Sequence, residues 1–237
     1  MWIIWKKMKN KEWHSRLSVF FFLLTIALAL FSWIGNVYGM SGIQSLLSTE
    51  GIRWVLGHVM ENYVQTPALG MVLILFMGVG IGLRSGLYDA IRRFLYKGKL
   101  LSRRERRALT LSLGVLGLYL MSLGIVMLLP WNLFLSVTGG WAHSPFSKGC
   151  IYLLSLGIGL SGMVYGYITN IYRTLWDVVQ GMSFLIARQS SYFVTLFFVV
   201  QFFSSLEYVG WIAYLGCSEE VMEVIFQLCC YLPMFLF

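Results

Sequence analysis

Long apolar runs separated by short polar stretches dominate the chain. Five of these runs approach or exceed the length of about 20 residues with which an α-helix crosses the hydrocarbon core of a bilayer. We predict transmembrane helices at residues 17–39, 68–83, 109–129, 149–169 and 190–216. A sixth run, residues 221–237, is short and contains Pro233, a residue that interrupts helices. The pattern therefore predicts an all-α integral membrane protein with several transmembrane helices, about five by this criterion, and a short apolar C-terminal segment.

Residues 40–66 are more polar and carry a periodic rather than a continuous apolar pattern. Apolar residues recur at spacings of three and four, which is typical of a helix with one apolar face, at Ile52, Val55, Leu56 and Val59. Polar residues are predicted on the opposite face, at Glu50, Arg53, His58 and Glu61. We therefore predict an amphipathic helix lying on the outer surface of the membrane.

The composition excludes a soluble globular protein and gives no support to an enzyme. Hydrophobic residues make up 58% of the chain, charged residues 12%, and the mean hydropathy is +0.74, which leaves too little polar surface to solvate a globule. The four cysteines have no metal-ligand spacing, and His58 has no second ligand nearby, so we predict no metal site. His143 and Ser144 lack the acid that a hydrolytic triad needs, so we predict no catalytic residues.

The positive charge is concentrated in residues 84–107, which hold nine Lys/Arg against two acids. Such a segment could bind nucleic acid, but apolar runs on both sides favour the interpretation that it keeps its loop in the cytoplasm. Only Arg53 and Lys148 of the 18 Lys/Arg fall in the predicted outer segments, residues 40–66 and 130–148. We therefore predict a cytoplasmic N-terminus, the lipid bilayer as partner and no nucleic acid, and we leave a homo-oligomer open.

Small residues in two predicted spans suggest how these helices associate. Gly78 and Gly82 form one pair at a spacing of four, and Gly162 and Gly166 form another. Such pairs let two helix backbones approach closely in lipid, so we predict that these four glycines face other helices. The alternative for the second span is a hinge or an unwound stretch that lines a transport path.

Few polar side chains fall inside the predicted spans, and these are the candidates for a substrate pathway. They are Ser155, Ser161, Gln201 and Glu207. An acid within a span is costly and is by default functional, whereas an acid close to the interface is hydrated. For Glu207 both interpretations stay open.

Three stretches of the sequence resemble the p-aminobenzoyl-glutamate transporter family, the AbgT type. The first is residues 46–54 (LLSTEGIRW) with 67–70 (PALG), and the second is residues 78–87 (GVGIGLRSGL). The third runs from HSPF at 143–146 through GMVYG at 162–166 and DVV at 177–179 to FFVVQF at 197–202. Each motif is short, but together they cover most of residues 34–216 in the family's order. The resemblance implies a multi-pass secondary transporter of the bacterial inner membrane, coupled to sodium or protons.

The chain also departs from that family. Family members are roughly twice this length and build the transport site from two re-entrant hairpins in inverted repeats. Within one membrane domain, residues 1–97 resemble the family's N-terminal helices and residues 100–216 part of its second half, so the first hairpin has no counterpart. The second hairpin would follow residue 237. The family's Glu before the Ser-Gly of the second span is replaced around Leu83, and Ser161 stands where the family has Pro.

Two hypotheses follow from the match and the departures. The first is a secondary transporter similar to those linked to uptake of a folate breakdown product and export of antifolates. The second is a truncated, non-transporting membrane scaffold or remnant, for which the purified chain would move no substrate across a vesicle membrane. An inward-facing polar cluster favours the first, and a bundle packed only by glycine and aromatic residues favours the second.

Overall fold

A computed structural model describes residues 2–40, 42–96, 101–128, 144–214 and 216–235. In these residues the chain forms ten helices and no strands: α1 (Trp2–Val37), α2 (Thr49–Gln65), α3 (Pro67–Arg84), α4 (Leu87–Tyr96), α5 (Arg103–Leu128), α6 (Pro145–Ile168), α7 (Leu175–Arg188), α8 (Ser190–Val209), α9 (Trp211–Tyr214) and α10 (Glu219–Phe235). The predicted all-α fold is confirmed.

Five of these helices are long and apolar enough to cross a membrane. The spans are Glu12–Val37, Pro67–Arg84, Arg103–Met127, Gly149–Ile168 and Ser190–Val209. They coincide with the five predicted spans, with the largest difference at the end of the fifth. There α8 stops at Val209 because Gly210 adopts a left-handed conformation with φ 81°, which ends the helix earlier than the apolar pattern suggests.

The chain divides into two compact units made of interleaved segments. Unit 1 consists of Met1–Gly70 and Gln189–Phe237, and unit 2 of Met71–Arg188. Helix α1 packs against α8, so the two ends of the chain come together in unit 1. A single membrane domain, whose resemblance to the family changes between residues 97 and 100, stays a prediction.

Aromatic side chains hold unit 1 together. The rings of Phe21 on α1 and Phe202 on α8 lie with centroids 5.8 Å apart. Phe226 of α10 meets Phe203 of α8 at 5.3 Å, and Trp54 of α2 stacks on Tyr208 of α8 at 4.3 Å. Helix α8 is therefore the central helix of this unit, with α1, α2 and α10 around it.

The packed face of α2 differs from the predicted one. Val55 and Val59 are half-buried as expected, but Ile52 and Leu56 are 49% and 77% exposed. His58, predicted on the polar face, lies on the packed face with its ring stacked on that of Trp54 at 5.1 Å. The correction has a simple cause, since the large aromatic ring of Trp54 determines which side of the helix meets α8.

Two segments interpreted as loops contain helices. Helix α4 lies within the basic segment 84–107, and α5 already begins there at Arg103. The turn between residues 170 and 189 contains α7. Both α4 and α7 are short and charged, so a search for membrane-length apolar runs passes over them.

The C-terminal segment is also more regular than predicted. Helix α10 continues through Pro233 to Phe235, although the sequence predicts an interruption at Pro233. Because this proline stands only one turn from the end, the helix loses a single backbone hydrogen bond there. Most of the predicted outer loop, including Trp131, Trp141 and His143, lies outside the described residues.

Candidate functional site

Ser155 lies in unit 2 where α6 crosses α3, and its hydroxyl joins the two helices. The Oγ atom donates to the backbone oxygen of Ile74 and accepts from the backbone N–H of Gly78 at 3.2 Å. A side chain on Gly78 would collide with the backbone of Ser155, so only glycine fits at this crossing. The predicted pathway residue Ser155 therefore makes a bond between helices and has its hydrogen-bonding capacity used within the protein.

A second close approach lies further along the same two helices, one turn later on α3 and two turns later on α6. A Cβ atom on Gly162 would lie 2.8 Å from the Cα of Gly82, which is closer than real Cβ atoms approach. Gly82 itself has only Ile158 near its missing side chain, at 3.4 Å. Helix α3 runs unbroken through these glycines, so the described residues contain no unwound stretch here.

The ring of Tyr172 fills the space between α3, α6 and α7. It covers the backbone of Gly166, and its hydroxyl donates to the backbone oxygen of Ile81 at 2.8 Å. A side chain on Gly181 of α7 would lie 2.7 Å from the same hydroxyl. Burial raises the pKa of Tyr172 to about 12, so it remains a neutral hydrogen-bond donor.

Ser161 differs from Ser155 because its hydroxyl is unused. The residue is 1% exposed, and its Oγ has no hydrogen-bond partner within the described part of the chain. A buried hydroxyl without a partner costs free energy, and a helical serine ordinarily bonds to a carbonyl of the preceding turn. Ser161 is thus a buried polar group inside α6 whose hydroxyl the described part of the chain does not use.

Gln201 and Glu207 both lie on α8 in unit 1. The Nε2 atom of Gln201 donates to the backbone oxygen of Val59 at 2.8 Å, which ties α2 to α8. Glu207 is exposed. Of the four predicted pathway residues, two belong to unit 2 and two to unit 1. Their role in a pathway stays a prediction.

Sequence reasoning missed a buried polar cluster in unit 1. His14 is 3% exposed, and neither ring nitrogen has a hydrogen-bond partner within the described residues. Beside it, the hydroxyl oxygens of Ser18 on α1 and Thr195 on α8 lie 2.9 Å apart. The Thr195 hydroxyl also lies within donating distance of the backbone oxygen of His14, at 3.2 Å. The signal that could have revealed this cluster is a histidine followed by serine four residues later on one face of the first helix.

Sequence reasoning also missed a charged cavity in unit 2. It has a volume of about 550 Å3 and is lined by residues of α4, α5 and α6 and their connections, among them Arg93, Arg104, Glu105, Tyr165 and Thr169. Arg93 donates to Glu105 at 3.1 Å, and Arg104 donates from Nε to the backbone oxygen of Ile168 at 2.7 Å. Each guanidinium carries five donors, so both retain donors for a carboxylate ligand.

The described residues contain no group of three or more His, Cys, Asp or Glu that could hold a metal ion. The four cysteines are free thiols, and only Cys230 is buried. The arrangement therefore offers two kinds of groups: single polar side chains inside the helices, and two arginines, two acids (Asp89 and Glu105) and several hydroxyls around the cavity.

Comparisons with known proteins give a family match over most of the chain. The sequence model of the AbgT transporter family matches residues 17–98 and 94–225. The p-aminobenzoyl-glutamate transport protein of Escherichia coli (strain K12) is 31% identical over 96 residues, which cover 36% of this chain and 18% of that protein. The chain thus matches less than a fifth of that relative's length.

A solved structure shares the fold. It is the crystal structure of the Alcanivorax borkumensis YdaH transporter, described as having an unusual topology. The TM-score is 0.70 at 14% sequence identity, and the superposition covers 84% of this chain and 74% of that chain. At this identity the likeness concerns the fold alone.

Proposed function

This chain belongs to the AbgT transporter family, and on that premise we propose that it is a secondary transporter of the bacterial inner membrane for p-aminobenzoyl-glutamate or a similar aromatic dicarboxylate. The observation that carries the proposal is the family match, which extends over residues 17–225. The Escherichia coli relative supports the substrate class by its name.

The charged cavity of unit 2 supports an anionic substrate. The glutamate part of this substrate carries two carboxylates. Arg93 and Arg104 line the cavity together with two acids, Asp89 and Glu105, and Glu105 already accepts one hydrogen bond from Arg93. Arginine pairs with carboxylates through two parallel hydrogen bonds, which fixes orientation as well as charge. In the proposal these two arginines bind the carboxylates, and the hydroxyls of Tyr165 and Thr169 accept or donate at the cavity wall.

Transport also requires an energy source, and we propose a sodium or proton gradient. In secondary transporters the coupling ion is bound near the middle of the membrane by backbone and side-chain oxygens. The unpaired hydroxyl of Ser161 inside α6 supports such a role, because it is buried and has an oxygen to offer.

The proposal is tested with the purified chain in proteoliposomes. We expect uptake of labelled p-aminobenzoyl-glutamate above that of empty vesicles when a sodium or a proton gradient is imposed. Arg93→Gln should lower the uptake rate by about tenfold, since a hydrogen bond to a charged group contributes about 1.5–3 kcal/mol. Arg92→Gln is the matched control, because Arg92 is exposed and does not line the cavity.

Two results would decide against the proposal. Uptake equal to that of empty vesicles under either gradient would favour the non-transporting scaffold. Uptake that Arg92→Gln lowers as much as Arg93→Gln would show that the cavity does not bind the substrate. Gln201→Ala is a poorer test, because Gln201 ties α2 to α8 and its loss would also disturb the packing.

We further propose that the N-terminus and residues 84–107 face the cytoplasm and residues 40–66 face outward, as the distribution of Lys and Arg indicates. A variant without the four native cysteines would carry one new cysteine, at Ser102 or at Glu61. We expect a membrane-impermeant thiol reagent added to intact cells to label the Glu61→Cys protein only. Equal labelling of both would contradict the orientation.

A further inference from the structure

The first two turns of α5 present a row of arginines along an open groove. Arg103, Arg106, Arg107, Thr110 and Leu111, all on α5, line this shallow groove. Their spacing of three and four residues places them on one side of the helix. The side chains, rather than the backbone amides of the helix end, form the groove.

The charge of these three arginines is not compensated within the described part of the chain. All three are exposed, and none forms an ion pair there. The one acid of this turn, Glu105, binds Arg93 through one oxygen and the backbone N–H of Ser102 through the other, at 3.1 and 2.9 Å. Cations near the first turn also oppose the helix dipole, which leaves these three arginines without a favourable electrostatic partner in their own helix.

The groove continues into an exposed apolar surface of α5. Only 11% of the α5 span is buried within the protein. Beyond Leu111 the helix exposes a series of large apolar side chains, Leu113, Leu118, Leu120, Met121 and Ile125. The arginines therefore lie where the helix enters the bilayer, at the depth of the lipid headgroups.

We propose that this groove binds an anionic phospholipid. The guanidinium groups of Arg103, Arg106 and Arg107 hold the phosphate, because arginine matches phosphate with paired hydrogen bonds. The first carbons of an acyl chain lie along Leu111. A free phosphate would gain nothing from Leu111, and a nucleic acid could not follow a helix into the hydrocarbon region. The site is distinct from the cavity at Arg93 and does not depend on what the protein transports.

The test measures lipid retention by the full chain purified in a neutral detergent. Native mass spectrometry would compare added dioleoylphosphatidylglycerol with dioleoylphosphatidylcholine. We expect a preference of roughly tenfold or more for the anionic lipid, as basic residues at a membrane surface provide. The triple variant Arg103→Gln, Arg106→Gln and Arg107→Gln should bind both lipids equally.

The matched control removes the same charge elsewhere. The triple variant Arg53→Gln, Arg92→Gln and Arg188→Gln changes three exposed arginines outside the groove and should keep the preference. Leu111→Gln leaves the charge unchanged and should weaken retention of the anionic lipid severalfold. All these side chains are exposed, so circular dichroism should show the helix content of the parent.

Three results would overturn the proposal. One is equal retention of the two lipids by the parent protein. Another is an equal loss of preference in the control triple variant, which would show a response to net charge alone. The third is complete displacement of phosphatidylglycerol by excess inorganic phosphate, which would show a site for the anion without its acyl chain.

Discussion

The two units of this protein solve the same packing problem in different ways. In unit 1, α1 and α8 meet through rings such as Phe21 and Phe202. In unit 2, α3 and α6 meet through backbone, with Gly162 against Gly82 and Gly78 against Ser155. Lipid tails are as apolar as the side chains, so neither pair of helices gains from hiding apolar surface.

This difference predicts how the stability of each unit responds when a residue at a helix contact is changed. A contact between two backbones has no spare volume, so any added atom separates the helices along their length. A contact between flexible rings can readjust after a change, because neighbouring rings rotate and lipid fills the remaining space. Unit 2 should therefore be brittle at single positions, and unit 1 should lose stability in smaller steps.

The largest effect is expected from Gly162→Leu. The new side chain would begin 2.8 Å from the Cα of Gly82 and force α3 and α6 apart. Overpacking of a tight site costs typically about 1–3 kcal/mol, and we expect the upper end of that range. Thermal unfolding of the purified protein in detergent measures this loss.

Gly124→Leu is the matched control for Gly162→Leu. Gly124 lies on α5, and a Cβ atom added there would have no neighbour within 4 Å. Leucine there should leave the stability unchanged or raise it, since leucine favours the helix more than glycine does. If both variants unfold at the parent temperature, the face of α6 at Gly162 meets lipid and the contrast between the units is wrong.

A smaller effect is expected from Phe21→Ala in unit 1. Phe21 is buried and contacts both Phe202 and Phe203. In aqueous cores, truncating a buried Phe to Ala lowers the free energy of unfolding by about 3–5 kcal/mol. We expect a loss of about 2 kcal/mol here, because lipid also solvates the surface that is exposed on unfolding. Phe31→Ala, at a site 61% exposed, should change the unfolding temperature little. If Phe21→Ala destabilised the protein more than Gly162→Leu does, the proposed order of the two effects would be wrong.

Ser155→Ala tests how much the hydrogen bonds of one side chain contribute to the helix crossing of unit 2. This change removes the hydroxyl that joins Ile74 and Gly78 to α6 but adds no volume. Hydrogen bonds between helices in membranes average about 0.6 kcal/mol, and the strongest reach about 1.7 kcal/mol. We expect about 1 kcal/mol by chemical unfolding, and no change for Ser122→Ala, whose hydroxyl bonds only within its own helix.

The apolar pattern was sufficient to predict the five spans, because a helix that crosses a bilayer needs about 20 consecutive apolar residues and such runs are visible in the sequence alone. It was not sufficient for α4 and α7, because both helices are shorter than a membrane-spanning segment. A helix-capping signal was present and missed: Ser102 and Glu105 satisfy each other's backbone N–H groups at the start of α5. The same pattern occurs at Thr174 and Asp177 before α7.

The site was harder to predict than the fold, because its contacts join residues far apart in the chain. Ser155 meets Gly78 across 77 positions, and Tyr172 meets Ile81 across 91. Periodicity indicates which side of a helix is apolar but not which residue of another helix it meets. For this reason the sequence indicates Ser155 only as a candidate for a pathway. It gives no sign that two arginines of the charged segment 84–107 line a cavity.

The smallest effect concerns the pH dependence of α7 in unit 2. Asp177 accepts the backbone N–H groups of Arg173 and Thr174 at 3.0 and 2.9 Å. These hydrogen bonds favour the charged carboxylate and hold the pKa of Asp177 below its ordinary value of 3.8. A folded-state pKa below the unfolded one stabilises the protein above pH 3.8, and the contribution is lost as the pH falls through the lower, folded-state value.

Asp177→Asn should therefore lower the unfolding temperature by a few degrees at neutral pH and make it less sensitive to acid. Asparagine can still accept a hydrogen bond as a cap but carries no charge, so only part of the stabilisation is lost. The measurement is a series of thermal unfolding curves from neutral pH to below about pH 4. Parallel acid curves for the parent and Asp177→Asn would show that the start of α7 contributes nothing to the pH dependence.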